Sequence, residues 1–340
     1  MLNNIDHLPS DLLSCQATQL YDLLPGPTLI HLPGKRPEPL FVSVLLHGNE
    51  TTGFVAIQEL LKKYQNQTLP RAVSIFIGNI SAARFGKRQL DNQVDYNRIW
   101  PHPGFSHDSL ESKMMRQVVD EMRRRNVFVS IDIHNNTGLN PHYGCVNRLD
   151  HKFFHLATLF SRTVIYFIRP QGVQSQAMAQ LCPAVTVECG QPSNFSGVTH
   201  ALQYIESCLN LAALPAHPIA KHDIDLFHTV ATVKVRHDVR FSFHDQHADL
   251  VFPQDLDSLN FNELASGTSF GKMHITEPPF CVTNEEGEEV VNQYFTVDNG
   301  EVKTLGPVMP SMLTTQEDII HKDCLCYLME RLPLETLVVR

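Results

Sequence analysis

Two side chains that can bind a metal ion stand three positions apart, His47 and Glu50. They follow the apolar, β-branched run at residues 41–46, and Gly48 separates this run from a segment with helical periodicity that starts at Phe54. The pattern predicts a strand, a turn and a helix, with the imidazole and the carboxylate in the turn. Both side chains can then converge on one ion, as a catalytic zinc site requires. The alternative is a polar turn whose acidic residue is stabilised by the amino end of the helix.

Polar side chains also follow two other predicted strands. His134 comes directly after the strand predicted at residues 127–133, and Glu188 follows the strand predicted at residues 184–187. In a parallel sheet the carboxyl ends of the strands face the same crevice, where ligands of such folds bind. The sequence therefore predicts that His134 and Glu188 lie close to His47 and Glu50 in the folded protein.

Two imidazoles and one carboxylate leave a fourth zinc position open for water, so His47, Glu50 and His134 are the predicted zinc ligands. The remaining carboxylate, Glu188, is suited to accept a proton from that water and to deliver it to the leaving amine. Asp132 stands two residues before His134 and points to the same side of the strand. We expect it either to orient the imidazole or to be an ordinary carboxylate at the edge of the core.

A loop rich in Arg, Asn and Asp supplies the cations of the predicted site. It contains Arg88 and the pair Asn97-Arg98. A planar guanidinium group can bind a carboxylate through two hydrogen bonds, and an adjacent amide can donate a further one. Arg98 is therefore predicted either to bind a ligand of this kind or to form an ion pair with Asp95.

The composition excludes several classes of protein. Of the 340 residues, 43% are hydrophobic and 19% are charged, which is typical of a soluble globular protein. The net charge of −9 argues against a nucleic-acid-binding protein, which usually needs a basic surface to neutralise phosphates. The sequence has neither a positively charged leader nor an apolar run of about 18 residues, so it predicts a cytoplasmic protein that does not enter a membrane.

Strand and helix patterns alternate between residues 40 and 211, and this predicts an α/β fold with a mixed, largely parallel sheet and flanking helices. After Pro215 the pattern changes to short β-type runs separated by turn residues. We therefore predict a catalytic domain at residues 1–220, which includes an N-terminal extension at residues 1–40, and a smaller β-rich C-terminal domain at residues 221–340.

Four motifs, in their order along the chain, resemble the succinylglutamate desuccinylase/aspartoacylase family, a branch of the zinc carboxypeptidase-like superfamily. They are His47-Gly48-Asn49-Glu50-Thr51, Asp95-Tyr96-Asn97-Arg98, Asp132-Ile133-His134-Asn135-Asn136-Thr137 and Val187-Glu188-Cys189-Gly190. The resemblance covers about residues 40–210. It implies a zinc carboxypeptidase-like catalytic domain with one zinc ion per chain, held by His47, Glu50 and His134, and with Glu188 as the general base.

The resemblance also implies roles for the loop residues. Arg88 would polarise the scissile carbonyl group, and Asn97 and Arg98 would hold the carboxylate of the amino-acid part of the substrate. The spacing from Arg88 to Asn97 is longer than is usual in the family, so Arg84 is an alternative to Arg88. Residues 171–183 contain no Arg that could bind an acidic substrate, as aspartoacylase-like members have there.

Together these features predict a zinc-dependent amidohydrolase that cleaves the amide bond of an N-acyl amino acid, of the deacylase or desuccinylase type, by means of metal-activated water. The predicted partner is a small molecule, either an N-acyl amino acid or a short peptide, and a homo-oligomer is possible. Two alternatives stay open. One is a metallocarboxypeptidase that acts on short peptides or cell-wall peptides, and the other is a non-catalytic binding protein that retains the fold.

Overall fold

The computed structural model describes residues 2–104, 108–192 and 194–336. These residues form one sheet of twelve strands, flanked by helices, and a second sheet of five strands. The strands are β1 (Asn3–Ile5), β2 (Thr28–Leu32), β3 (Gly34–Val44), β4 (Leu69–Ile77), β5 (Val129–His134), β6 (Tyr143–Val146), β7 (Thr163–Tyr166), β8 (Ala184–Glu188), β9 (Asp225–Val235), β10 (Phe241–Ser242), β11 (Leu250–Val251), β12 (Ser269–Met273), β13 (Phe280–Asn284), β14 (Phe295–Asp298), β15 (Glu301–Thr304), β16 (Met309–Ser311) and β17 (Cys326–Arg331). The α-helices are α1 (Leu20–Leu23), α2 (Thr52–Lys63), α3 (Ile80–Ala83), α4 (Leu110–Arg124), α5 (His151–Thr158), α6 (Gln174–Met178), α7 (Phe195–Asn210), α8 (Val291–Tyr294) and α9 (Glu317–Lys322).

The centre of the large sheet is parallel. Its strand order is β1-β2-β4-β3-β5-β8-β6-β7-β9-β17-β16, and β13 pairs with β9. The neighbours β4, β3, β5 and β8 all run in the same direction, whereas β6 runs antiparallel to β8. The predicted fold class, a mixed and largely parallel sheet with flanking helices and a smaller β-rich region, is confirmed.

The central strands are buried on both faces, as continuous apolar runs predict for a sheet covered by helices. Every residue of β5 is buried, and so are residues 39–44 at the carboxyl end of β3. Helix α2 packs closely on the sheet at Gly53, where a Cβ atom would lie 2.8 Å from the side chain of Ile133. This contact sets the distance between α2 and β5, and it therefore also sets the position of the turn that precedes the helix.

The amino-terminal and carboxyl-terminal parts of the chain both add strands to the large sheet. Strand β2 pairs antiparallel to β4, and β9 pairs parallel to β7. Strands β13, β16 and β17 follow β9 in the same sheet, while β10, β11, β12, β14 and β15 form the second one. The division of the chain at residue 220 stays a prediction, and the large sheet contains strands from both sides of it; residues 337–340 of the second predicted domain lie outside the described residues.

None of the helices in the described ranges combines the length and the apolar character needed to cross a lipid bilayer.

Candidate metal centre and its cavity

The predicted ligands and the predicted base lie at the carboxyl ends of three adjacent parallel strands. His47 and Glu50 lie in the turn between β3 and α2, where the backbone N–H of Glu50 donates to the carbonyl oxygen of His47 at 3.1 Å. His134 is the last residue of β5 and Glu188 is the last residue of β8, and the two are paired in register. The sheet therefore brings these four residues to one edge.

Gly48 allows the first turn to lie against helix α3. A Cβ atom at this position would lie 2.2 Å from the backbone nitrogen of Ala83, which leaves no room for any side chain. The N–H of Gly48 also donates to the carbonyl oxygen of Arg88 at 3.0 Å. The turn that carries His47 and Glu50 is thus fixed from two directions.

The carboxylate of Glu50 lies between the two imidazoles. Its Oε1 atom is 2.8 Å from Nδ1 of His47, and its Oε2 atom is 2.7 Å from Nδ1 of His134. One ligand atom from each residue lies within 4.8 Å of the others, and each side chain belongs to a residue that is at most 5% exposed. The structure therefore brings the three predicted metal ligands together.

The second nitrogen of each imidazole contacts an aspartate. Nε2 of His47 lies 3.0 Å from Oδ1 of Asp95, and Nε2 of His134 lies 2.8 Å from Oδ2 of Asp132. A carboxylate only accepts hydrogen bonds, so both Nε2 atoms donate, and Nδ1 is the atom that each imidazole turns towards Glu50. Carboxylates behind histidines commonly orient metal ligands in this way. Asp132 has the orienting contact considered from the sequence, and Asp95 has the same contact, which sequence reasoning missed.

The electrostatics of this cluster favour positive charge between the carboxylates. Burial alone would lower the pKa of His134, but Asp132 and Glu50 raise it well above its ordinary value. Burial and Arg88 would likewise lower the pKa of His47, and Glu50 and Asp95 raise it. Burial would raise the pKa of Glu50, and the two histidines instead hold it far below its ordinary value.

The donor set fits a zinc ion. Two imidazole nitrogens and a carboxylate oxygen are the donors found in catalytic zinc sites with an open position. The surrounding charges stabilise a cation, and the aspartates already hold the imidazoles in the orientation that presents Nδ1. His47, Glu50 and His134 are the residues that would hold the ion.

Glu188 is a buried carboxylate beside the ligand cluster. It accepts a hydrogen bond of 3.4 Å from Nδ2 of Asn136 and lines the same cavity as the three ligands. Burial raises the pKa of Glu188 to about 7; His134 opposes this rise and Glu50 adds to it. A carboxylate with this pKa can take up and release a proton near neutral pH, as the predicted role of general base requires.

Arg88 lies beside the cluster and faces three carboxylates. Its Nη2 atom is 3.1 Å from Oδ2 of Asp95 and 3.3 Å from Oδ2 of Asp323, and its Nη1 atom is 3.6 Å from Oε1 of Glu50. Arg84, the alternative considered from the sequence, is exposed and stacks on the ring of Tyr21 at 4.5 Å. Arg88 is therefore the one of the two that lines the cavity.

Asn97 and Arg98 also line the cavity, and both already have partners in the protein. Oδ1 of Asn97 accepts from the backbone N–H of Gln174 at 2.9 Å, and its Nδ2 contacts Nε2 of His134 at 3.2 Å without a hydrogen bond, because that nitrogen donates to Asp132. The ion-pair partner of Arg98 is Asp323, at 3.5 Å, and not the Asp95 considered from the sequence. Their role in binding substrate stays a prediction.

Asp323 also lines the cavity, and the sequence contains no signal for it. It follows helix α9, 225 positions after Arg98, in the part of the chain whose sequence pattern predicts only strands and turns. Burial alone would raise the pKa of Asp323, but Arg98 and Arg88 hold it below its ordinary value.

The cavity is a cleft of about 110 Å³ that reaches the ligand cluster and is open to solvent on one side. Its lining combines the ligands and the guanidinium groups with the apolar side chains of Ile165, Phe167, Val173 and Met312. The cleft can therefore contact both charged and uncharged groups of a small molecule.

Similar structures share this fold at low sequence identity. Murine aminoacylase 3 has a TM-score of 0.57 and is 15% identical, with 88% of this chain and 96% of that chain covered. The succinylglutamate desuccinylase from Chromobacterium violaceum has a TM-score of 0.54 and is 15% identical, with 88% and 87% covered. The succinylglutamate desuccinylase/aspartoacylase from Rhodobacter sphaeroides has a TM-score of 0.56 and is 12% identical, with 89% and 88% covered. At these identities the comparison shows a common fold.

Sequence comparison identifies the family. A search of curated proteins gives no match. The sequence model of the succinylglutamate desuccinylase/aspartoacylase catalytic domain matches residues 39–210, just over half of the 340 residues, and this range contains all four motifs of the site. The chain therefore belongs to the succinylglutamate desuccinylase/aspartoacylase family of hydrolases.

Proposed function

We propose that the protein is a zinc-dependent hydrolase that cleaves the amide bond of an N-acyl amino acid and releases the free amino acid. The observation that carries the proposal is the position of Glu50 between the Nδ1 atoms of His47 and His134, with Glu188 at the end of the adjacent strand. The zinc ligands would be His47, Glu50 and His134. When bound there, a zinc ion supplies positive charge that polarises a carbonyl oxygen and lowers the pKa of a water molecule to about 7.

Glu188 would move the proton of the reaction. Its carboxylate takes a proton from the attacking water, the water oxygen forms a bond to the carbonyl carbon, and the same proton then passes to the nitrogen of the breaking C–N bond. A carboxylate with its pKa raised to about 7 is suited to both steps, because it gains and loses the proton at similar cost near neutral pH.

The arginines would bind the substrate and stabilise developing charge. Arg88 is near Glu50 and would donate to the carbonyl oxygen as negative charge develops on it. Arg98 and Asn97 would hold the carboxylate of the amino-acid part, because a guanidinium group suits that ligand. The apolar residues of the cleft would contact the acyl group.

A substrate panel tests the proposal. Zinc-loaded protein is assayed with compounds that vary the acyl group and the amino acid independently, alongside dipeptides, before and after treatment with a chelator. We expect N-acyl amino acids to be hydrolysed, the activity to disappear on chelation, and zinc to restore it. Activity that survives complete removal of metal would contradict the proposal.

The same panel separates the alternatives. Faster cleavage of dipeptides than of any N-acyl amino acid would identify a metallocarboxypeptidase, and saturable binding without turnover would identify a binding protein. The cytoplasmic location and a homo-oligomeric state stay predictions from the sequence.

A further inference from the structure

The floor of the cleft leads from Glu188 across three further strands of the large sheet. It is formed by Thr186 of β8, Cys145 of β6, Ile165 of β7 and Thr229 of β9, which all line the cleft. Cys145 is paired with Thr186 on one side and with Ile165 on the other. Thr186 stands two residues before Glu188, so both side chains point to the same face of the sheet. The floor therefore starts at the predicted base and crosses the sheet away from β5 and β3, which carry or precede the metal ligands.

The length of the floor limits the groups that can extend along it. Glu188 lies two residues from Thr186 along β8, and Ile165 lies two strands from Thr186 across the sheet. With roughly 3.3 Å per residue and about 4.8 Å per strand, Ile165 is about 12 Å from Glu188. An extended chain advances roughly 3.3–3.6 Å for every three bonds, so about ten bonds cover this distance. A four-carbon acyl group, with three bonds between its ends, covers only about a third of it.

The floor is uncharged along this length. Its four residues are Thr186, Cys145, Ile165 and Thr229, and each of them is at most 9% exposed. The hydroxyl group of Thr186 already donates to Oγ of Ser175 at 3.0 Å. Such a surface can contact methylene groups, but a carboxylate that stopped above it would lose hydration without gaining a partner.

Arg169 lies at the far end of the floor. It follows Ile165 by four residues and lines the cleft together with Thr229. Its Nε atom donates to the backbone oxygen of Glu285, and its Nη2 atom lies beside Gly287, where a Cβ atom would be 3.6 Å away. The turn after β13 thus holds one edge of the guanidinium group at the mouth of the cleft.

The positive charge of Arg169 is not neutralised by an ion pair within the described ranges. The two other arginines that line the cleft both contact Asp323. The side chain of Glu285 lies 2.8 Å from Nε2 of His228, and only its backbone oxygen accepts from Arg169. The Nη groups of Arg169 are therefore available to a ligand, and a planar guanidinium group can bind a carboxylate through two hydrogen bonds.

We propose that Arg169 binds an anionic group at the far end of an extended acyl chain. The inference rests on the proposed function and names its substrate class: N-acyl amino acids whose acyl group ends in a carboxylate and is longer than four carbon atoms. Arg98 would hold the carboxylate of the amino-acid part, the floor would contact the methylene groups, and Arg169 would bind the second carboxylate.

The test compares four acids that differ in length and in charge. Decanedioate and decanoate have the longer chain, butanedioate and butanoate have the shorter one, and the members of each pair differ by one carboxylate. Their binding to zinc-loaded protein is measured by calorimetry for the wild type and for Arg169→Gln, so the readout does not require turnover. The Gln side chain removes the charge and keeps an amide that can donate to the backbone oxygen of Glu285.

We expect Arg169→Gln to bind decanedioate about five- to tenfold more weakly than the wild type, as the loss of a charge-assisted hydrogen bond predicts. The dissociation constants of the other three acids should not change. Decanoate has no second carboxylate, and butanedioate is too short to reach Arg169 while its first carboxylate is at the metal centre.

The matched control is Arg162→Gln, which removes one positive charge from an exposed position directly before β7, where Arg162 contacts Asp225. It should leave all four dissociation constants unchanged, and melting curves should show that both variants are folded. Equal binding of decanedioate by the wild type and Arg169→Gln would overturn the proposal, and so would the absence of decanedioate binding. Equal weakening of decanedioate and decanoate would also overturn it, because Arg169 would then only support the wall of the cleft. Equal weakening of decanedioate and butanedioate would overturn the required length.

Kinetics separate this inference from the proposed function. If N-acylglycines are hydrolysed, Arg169→Gln should raise KM for the compound with the ten-carbon, carboxylate-ended acyl group and leave kcat and KM for N-decanoylglycine nearly unchanged. If no substrate is hydrolysed but decanedioate binding depends on Arg169, the proposed function fails and the anion-binding role of Arg169 stands. If N-acyl amino acids are hydrolysed and neither binding nor KM depends on Arg169, the proposed function stands and this inference fails.

Discussion

Glu188 combines burial, a position beside the ligand cluster and a pKa raised to about 7. Its carboxylate lies at the end of β8, where the register places it opposite His134 of β5. The side chain accepts from Asn136 at 3.4 Å, so its orientation is constrained while its negative charge is only weakly neutralised. These properties are those of a group that accepts a proton during a reaction.

Replacing Glu188 with Gln should remove most of the turnover and leave the metal content unchanged. The amide keeps the shape of the side chain but cannot accept a proton from water, and general-base catalysis typically contributes about 10²–10⁴-fold to the rate. The measurements are kcat on the best substrate of the panel and the zinc content of the purified protein. Full activity in this variant would show that another residue is the base, whereas loss of zinc would show that Glu188 helps to hold the ion.

At the scale of residues, the sequence predicts the side chains that follow strands and, through the family resemblance, the loop residues Arg88, Asn97 and Arg98, which all line the cavity. It misses Asp323, which reaches the cavity from the C-terminal part of the chain. His47, Glu50, His134 and Glu188 each follow an apolar run, so their convergence can be predicted from parallel strands alone. Asp323 has no such relation to a strand of the site. Its contact with Arg98 depends on how a segment far along the chain packs, and a single sequence does not contain that information.

At the scale of elements, the turn between β3 and α2 decides whether the centre can form. It carries two of the three ligands, and Gly48 between them packs against the backbone of α3. The sequence predicts this strand, turn and helix because the spacing of apolar residues changes there from a strand pattern to a helix pattern. It does not predict β6, which is four residues long and contains a glycine, so no run of β-forming residues indicates it.

Replacing Gly48 with Ala should destabilise the protein and weaken zinc binding. The new Cβ atom would be 2.2 Å from the nitrogen of Ala83, so the turn must move away from α3 and carry His47 and Glu50 with it. Overpacking of this kind costs about 1–3 kcal/mol. Denaturant unfolding in the presence of a chelator and a zinc titration measure the two effects separately.

Gly306→Ala is the matched control for this change. No atom lies within 4 Å of a Cβ built at Gly306, and its backbone is not in the left-handed region, so the extra methyl group should be tolerated. Equal losses of stability in the two variants would indicate a general effect of replacing glycine and would contradict the proposed contact with α3.

At the scale of the whole molecule, the candidate metal centre connects segments that are distant in sequence. The turn at His47 and Glu50 meets the end of β5 at His134, and Arg88 links this cluster to Asp323 in the C-terminal part. A ligand that binds the folded chain and not the unfolded chain stabilises the whole fold. The centre should therefore affect global stability as well as activity.

Zinc should raise the melting temperature of the protein, and His134→Ala should abolish that increase. At a free zinc concentration of 100 times the dissociation constant, the expected stabilisation is about 2.7 kcal/mol. The measurement is the difference between melting temperatures with zinc and with chelator, which cancels any direct effect of the substitution. His217→Ala, at an exposed position, is the control and should keep the full increase; an equal increase in His134→Ala would show that the ion binds elsewhere.

The parallel pairing of β7 with β9 has a consequence for any shortened form of the protein. Thr163–Tyr166 of β7 are matched to Asp225–His228 of β9, so a chain cut near residue 220 would leave one side of β7 without its neighbour. The unpaired backbone N–H and C=O groups of β7 would lie next to the apolar side chains of Val164 and Ile165. An exposed edge strand of this kind can pair with other copies of the chain, so we expect the isolated N-terminal fragment to aggregate.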